Sequence, residues 1–352
     1  MRQVDYLIVG QGVAGTLLAY FLQQAGKQIQ LVDQYSEQAA SQVAAGIINP
    51  ITGRRYVKSW KADELLPFAK QTYRALEDML GLTIFRQRNI IRTLFNHREE
   101  NDWLARTADP AYQPYMLEQA VLDNYATSTL LAFGYGEVTH SGQADLQGLT
   151  HAFREKLRQE NALTEAVMAY EELAINAQYV RWRDIEARGV VFCEGAAGSS
   201  NPYFSYLPFG GAKGEVLIVR IPKVKFEKIL KHRVFIVPMP APDHYWIGST
   251  YDWKYEDARP TERGRQYLEQ RLRDMLQTPF EIVEHRAAIR PTVKDRRPFL
   301  GQHPDFEPLY IFNGLGTKGA SLGPYWACHM ANYLAARHPL DPEVDIARFG
   351  EA

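Results

Sequence analysis

The chain has 352 residues, 46% of them hydrophobic and 23% charged, which are ordinary values for a globular protein with ample core. Forty basic against forty-one acidic residues leave a net charge of −1, removing the electrostatic case for a dedicated nucleic-acid binder. Two cysteines, Cys193 and Cys328, make neither a metal knuckle nor a disulfide framework and fit a reducing compartment.

The length suggests two domains or one elaborate α/β domain. In chain order, Asp5–Val9 reads as a first strand, Val13–Ala25 as a helix and Gln28–Val32 as a second strand ending at Asp33. Apolar residues at helical spacing predict an amphipathic helix over Asp63–Leu80. Ile90–Phe95 reads as a strand and His97–Thr107 as a helix, followed by an irregular aromatic stretch from Asp109 to Tyr135. Asp145–Glu160 is a predicted helix, and Val190–Cys193 a short buried strand. Three β-rich runs between Gly214 and Thr250 suggest an antiparallel sheet. A capped helix over Thr261–Leu276, a strand over Tyr310–Phe312 and a final helix over Ser321–Ala336 complete the reading. No uncharged apolar run reaches about 18 residues, so no membrane-spanning helix is expected and the cytoplasm is the default location.

The strongest local signal is GQGVAG, with Gly10, Gly12 and Gly15 between a strand and a helix. The first glycine permits a tight turn, the second lets backbone approach a pyrophosphate, and the third lets helix and strand pack closely. The helix N-terminus then faces the phosphate charge. Asp33, at the end of the second strand, can accept the ribose hydroxyls of an adenosine and would repel a 2′-phosphate. The motif fits NAD and FAD alike. The pattern leaves the nucleotide-domain course near residue 60, and small-residue loops return at Gly195–Ala197 and Asn313–Gly319. Several distant loops on one extended ligand favour FAD.

With these blocks in view, the chain resembles the D-amino-acid oxidase family of flavoproteins. That family includes glycine oxidase, sarcosine oxidase and the oxidase half of the tRNA-modifying MnmC enzymes. Ser41, Ala44, Ala45 and Gly46 in SQVAAGIINP resemble the family's block beside the flavin. VVFCEGAAGSS, with Gly195, Ala196 and Ala197, resembles the block that passes the adenosine and pyrophosphate. IRPTVKDRRPFLG matches in Arg290, Pro291, Asp295, Pro298 and Gly301, and NGLGTKGASLGP resembles the last glycine block. The resemblance implies an α/β fold in which a Rossmann-like FAD-binding domain (1–60, 142–205 and 299–352) is interleaved with an antiparallel-sheet α+β substrate domain (61–141 and 206–298). It adds Val13, Ala14, Gln34, Ile47 and Val167 to the expected cofactor contacts. Gly314, Leu315, Gly316, Thr317 and Lys318 would turn backbone N–H groups and a helix N-terminus toward the flavin.

The resemblance also implies that Arg290 holds a substrate carboxylate, a role its planar and permanently charged fork suits. Arg54, Tyr251 and Lys318 are weaker candidates around it; Arg54 and Arg55 equally fit a solvated basic loop, with at most one of them turned inward. Departures from the family pattern stand at Phe235 (tyrosine in relatives), Met239 (arginine) and Trp246 (a lysine that promotes oxygen reaction in sarcosine oxidases). The FAD should be non-covalent, both cysteines should be core residues, and His303 and His329 have no companions at metal-ligand spacing. The expected reaction is oxidation of the C–N bond of a small amino acid or N-substituted glycine, with oxygen or another electron acceptor. Oxidation of a hydroxy acid, oxidation of a carboxymethylaminomethyl group on tRNA, and a non-catalytic FAD-binding protein remain as alternatives.

Overall fold

The computed structural model describes residues 1–130 and 132–350; Leu131, in the stretch expected to be irregular, and the last two residues lie outside them. From the N-terminus, β1 (Arg2–Val9) leads to α1 (Val13–Gln24), β2 (Ile29–Val32) and a one-turn helix, α2 (Ala40–Val43). A small hairpin, β3 (Ile51–Thr52) and β4 (Val57–Lys58), precedes α3 (Ala62–Leu80), β5 (Ile90–Leu94) and α4 (His97–Thr107). Next come β6 (Gly134–Val138), α5 (Leu146–Gln159), β7 (Leu163–Thr164) and β8 (Ile185–Phe192). Four strands follow: β9 (Phe209–Arg220), β10 (Ile229–Lys231), β11 (Phe235–Pro238) and β12 (His244–Gly248). After α6 (Glu262–Arg273) come β13 (Glu281–Val293), β14 (Phe299–Gln302), β15 (Leu309–Asn313) and α7 (Gly319–Ala336).

These elements form two main sheets. The first has a parallel core in the order β7-β2-β1-β8-β15, drawing strands from the start, middle and end of the chain. Its strands are buried on both sides, as parallel sheets require; β2, for example, is buried at all four positions. Helices α1, α3, α5 and α7 cover one face, with Leu17, Leu18, Tyr73, Phe153 and Trp326 in a single cluster. The α/β fold interleaved with an antiparallel sheet is the architecture the sequence implied.

The second sheet runs β13-β9-β12-β11-β10-β5-β6 and is antiparallel except where β10 meets β5. Its two faces differ. Leu217, Ile236, Tyr245 and Ile247 pack against Leu268 and Leu272 of α6. The opposite face carries Ala212, Gly214 and Val216 of β9 in register with Arg290, Ala288 and Arg286 of β13. Along that face Val216 and Ala288 meet Val43, while Ile229 and Val237 meet Ile51 and Tyr56. Side chains alternate along a strand, so this second face looks onto the segment that follows α2. Strand β13, 13 residues long, has no counterpart in the sequence reading.

Candidate functional site

The first glycine turn is built as its spacing requires. Gly10 has φ +97° and lies so close to the next strand that a Cβ there would sit 2.5 Å from the Cys193 carbonyl oxygen. A Cβ at Gly15 would lie 1.9 Å from the Gly10 carbonyl oxygen, so helix and strand pack at a distance only glycine permits. Gly12 is the N-cap of α1 and brings no capping side chain of its own. Ser41 Oγ accepts from Val13 N–H at 2.9 Å, tying the second small-residue block to the first.

Asp33 stands beside this turn. Its Oδ1 accepts from Gln11 N–H at 2.8 Å, and its Oδ2 from Arg154 Nη1 at 2.7 Å. A carboxylate accepts about four hydrogen bonds, so both oxygens keep a lone pair for ribose hydroxyls. Arg154 was not singled out from the sequence. Its side chain is 4% exposed and also donates to Gln11 Oε1 and Glu165 Oε1, each at 2.8 Å. The signal was present: Leu146, Leu149, Phe153 and Leu157 of α5 are buried, and an arginine next to that apolar stripe must find a buried partner.

The third and fifth blocks meet through Asn313. Its Nδ2 donates to the Gly195 carbonyl at 3.0 Å, and its Oδ1 accepts from Gly314 N–H at 2.8 Å. Gly195 has φ +59°, and a Cβ there would meet nothing within 4 Å, which leaves open space beside the Gly195–Ala197 turn. Behind that turn Glu194 accepts from Tyr170 Oη at 2.6 Å and Asn201 Nδ2 at 2.8 Å. Burial pushes the Glu194 carboxyl up, and those two donors only partly oppose it. A helix that starts at a glycine, an aspartate with free acceptor positions beside it and the open turn at Gly195 together suit a dinucleotide, and FAD fits such a set.

The other residues expected near a cofactor lie in varied surroundings. In the last loop Gly314 N–H is held by Asn313, Gly316 N–H donates to the Pro291 carbonyl, and Lys318 N–H to the Leu315 carbonyl. Of the five N–H groups expected to face a flavin, these three are therefore engaged within the protein, and no side chain caps the start of α7. Gln34 is exposed, and so is Val167, just beyond β7. Ala44 and Ala45 line a cavity of about 270 Å³ with Arg86, Met239 and Trp246. Ile47 packs at the edge of the Ile51–Tyr56 cluster. Cys193 is buried, whereas Cys328 is only half-buried. His303 and His329 make backbone contacts, His329 Nε2 accepting from Asp341 N–H at 2.9 Å.

Arg54 and Arg55 are both exposed, which is the solvated basic loop, one of the two readings the sequence left open, and takes Arg54 away from the Arg290 site. The reason is local. The β3–β4 hairpin turns so that Tyr56, at φ +52°, enters the core instead. Beneath it Arg92 Nη2 donates to the Gly53 carbonyl at 3.0 Å and its guanidinium lies 4.7 Å from the Tyr56 ring centroid.

Arg290 lies on the inward face of the second sheet. Nη2 donates to Ser249 Oγ at 2.6 Å and to the Thr250 carbonyl at 3.1 Å. The guanidinium lies 5.1 Å from the ring centroid of Tyr251, itself half exposed, and occupies the space a Cβ at Gly214 would take. Burial holds its pKa down, and among the described residues no carboxylate lies within 4.0 Å of it. Its partners are neutral acceptors that fix its direction and leave its charge uncompensated. Lys318 has the same character: Nζ donates to Ser59 Oγ at 3.3 Å, and burial, then Arg296 and Arg297, lower its pKa. Phe235 and Gly248 are cross-strand partners on this face, and Trp246 Nε1 donates to the Val43 carbonyl at 2.8 Å.

Comparison with known proteins agrees with the glycine blocks. The family model described as FAD dependent oxidoreductase matches residues 5–333. A glycine oxidase of Pseudomonas aeruginosa is 24% identical, over 96% of this chain and 96% of its own. An uncharacterized oxidoreductase of Bacillus subtilis, YurR, is 22% identical over 99% and 98%. The crystal structure of glycine oxidase from Bacillus cereus superposes with a TM-score of 0.80 at 20% identity, covering 96% of each chain, and so shares the fold. The turns, the interleaved sheets and the extent of the family match lead to one statement: this chain belongs to the family of FAD-dependent oxidoreductases.

Proposed function

We propose that this protein holds FAD without a covalent bond and oxidises the C–N bond of a small amine that carries a carboxylate. The observation that carries the reading is Arg290, a half-buried cation fixed by Ser249 and Thr250 with no acid within 4.0 Å among the described residues. Such a guanidinium binds a carboxylate bidentately and orients the rest of the molecule. The glycine oxidases among the relatives support an amino-acid-like substrate.

In this reading the α1 N-terminus and Gly12 face the pyrophosphate, Asp33 accepts the ribose hydroxyls, and the Gly195–Ala197 and Gly314–Lys318 turns flank the rest. FAD, when bound, supplies the acceptor for the hydrogen and electron pair that leave Cα. The protein's part is placement. Arg290 anchors the carboxylate, Tyr251 walls the guanidinium, and Lys318 with the uncapped start of α7 adds positive field where negative charge gathers. An amine that arrives neutral needs no side-chain base, and water hydrolyses the imine product. No metal enters the scheme, and location in the cytoplasm accords with its small soluble reactants.

The test is anaerobic titration of the yellow holoprotein with glycine, sarcosine, D-amino acids, proline and hydroxy acids. Bleaching of the flavin band by a carboxylate-bearing amine supports the reading, and the speed of recovery in air separates oxygen from another acceptor. Bleaching by hydroxy acids alone refutes it.

A further inference from the structure

The inward face of the second sheet carries two more cations, neither evident from the sequence. Strands β10 and β5 run parallel with Lys231 opposite Arg92. Lys231 is also the cross-strand partner of Phe235, and its Nζ lies 4.2 Å from the Phe235 ring centroid. Phe235 in turn pairs with Gly248, the residue before Ser249, which holds Arg290. One row of the sheet thus runs from the neighbourhood of the Arg290 anchor, past Phe235, to Lys231 and Arg92.

The pair is uncompensated. Lys231 Nζ donates to the Arg233 carbonyl at 3.0 Å, and Arg92 is fixed by the Gly53 carbonyl and the Tyr56 ring. Among the described residues no carboxylate lies within 4.0 Å of either, and Glu99 acts on Arg92 only from farther away. Burial, reinforced by Arg92, lowers the Lys231 pKa to about 8. Like charges placed directly opposite on neighbouring strands destabilise a sheet, and removing them from water adds to the cost. An anion bridging the two would offset both terms.

We infer that Lys231 and Arg92 form a second anion subsite beyond Phe235, so that the substrate amine carries a distal carboxylate or phosphate besides the carboxylate at Arg290. This deepens the proposed function and rests on its placement of the first carboxylate. Phe235 supplies an apolar wall between the two anchors, where a tyrosine would offer a third polar contact.

The test is binding to the oxidised holoprotein, read as perturbation of the flavin spectrum by unreactive acids: butyrate, glutarate and 3-phosphonopropionate. Glutarate or 3-phosphonopropionate should bind at least about tenfold tighter than butyrate, and the tighter of the two names the distal group. Lys231→Met should collapse that ratio to about one, whereas Lys231→Arg should keep most of it. A ratio near one in the unaltered protein, or one that survives Lys231→Met, overturns the subsite. Neither result depends on turnover. If no carboxylate-bearing amine bleaches the flavin, the proposed function fails while the binding ratio is still read; a ratio near one with bleaching intact removes only the subsite.

Discussion

Two arginines, Arg154 buried on α5 beside the first sheet and Arg290 half-buried on the second sheet, are treated differently by the fold. Arg154, beside the first glycine turn, meets Asp33 and Glu165 within 2.8 Å and fills its remaining directions with Gln11. Arg290, on the second sheet, meets a hydroxyl and carbonyl oxygens. A compensated cation holds the scaffold together, because its loss leaves the partly buried Asp33 carboxylate with Gln11 N–H as its remaining partner. An uncompensated one is costly to keep and is explained by a ligand that completes it. The contrast sorts the cations of this molecule: Arg154 is tied to the first glycine turn through Asp33 and Gln11, while Arg290, Lys318, Lys231 and Arg92 have no carboxylate within 4.0 Å among the described residues, as the proposed anionic ligands would require.

Substitution should separate the two kinds. Arg290→Met should lower kcat/KM for a carboxylate-bearing amine by about 10²- to 10³-fold, with FAD retained and the melting midpoint unchanged or higher. Steady-state kinetics beside a thermal melt reads both. Arg154→Met should do the reverse to stability, costing about 3 kcal/mol in denaturant unfolding and loosening FAD as Asp33 loses its tether. If the two variants lose stability equally, the contrast is wrong.

Lys231 gives a smaller effect with a defined pH window. Its pKa in the folded protein, about 8, lies below its ordinary 10.5, so between those values the unfolded chain holds more protons than the folded one. Stability of the ligand-free protein should therefore rise with pH across that window. Lys231→Met should be more stable at neutral pH by about 2 kcal/mol, with the gap closing as pH rises through the window. Urea unfolding at several pH values checks this, and an equal gap at all pH values contradicts it. Arg54→Ser should be the mildest change, within about 0.5 kcal/mol in stability and hardly altering KM, because both arginines of that turn face solvent.

The cofactor side was legible because its demands fall on backbone. Gly10 and Gly15 are glycines for reasons that spacing alone conveys, and Asp33 follows from the end of a strand. The interleaving was legible too, since the small-residue loops at 195 and 313 fall at the ends of β8 and β15, strands that pair in parallel. The second sheet was harder. β13 alternates charged and small residues on both faces, from Glu281 and Glu284 to Arg290, which blurs the period-2 signal of a half-buried strand. Lys231 and Arg92 become neighbours only through the β10–β5 register, across more than a hundred residues of chain. Arg54 drew attention by its place after the flavin block, but the direction of a side chain in a tight hairpin depends on which neighbour fills the core, and here Tyr56 does. The apolar stripe of α5 marks Arg154 as needing partners, but not which ones, because Asp33 and Glu165 lie on other elements.

The central claim is that Arg290 selects a carboxylate-bearing amine for oxidation. The most direct measurement is anaerobic bleaching of the holoprotein by sarcosine or a better amine from the panel, set against the same amine with its carboxylate replaced by an amide. The account predicts rapid bleaching by the acid, a rate lower by about 10²-fold for the amide, and loss of that discrimination in Arg290→Met. Equal bleaching by acid and amide, or discrimination that persists without Arg290, would contradict it.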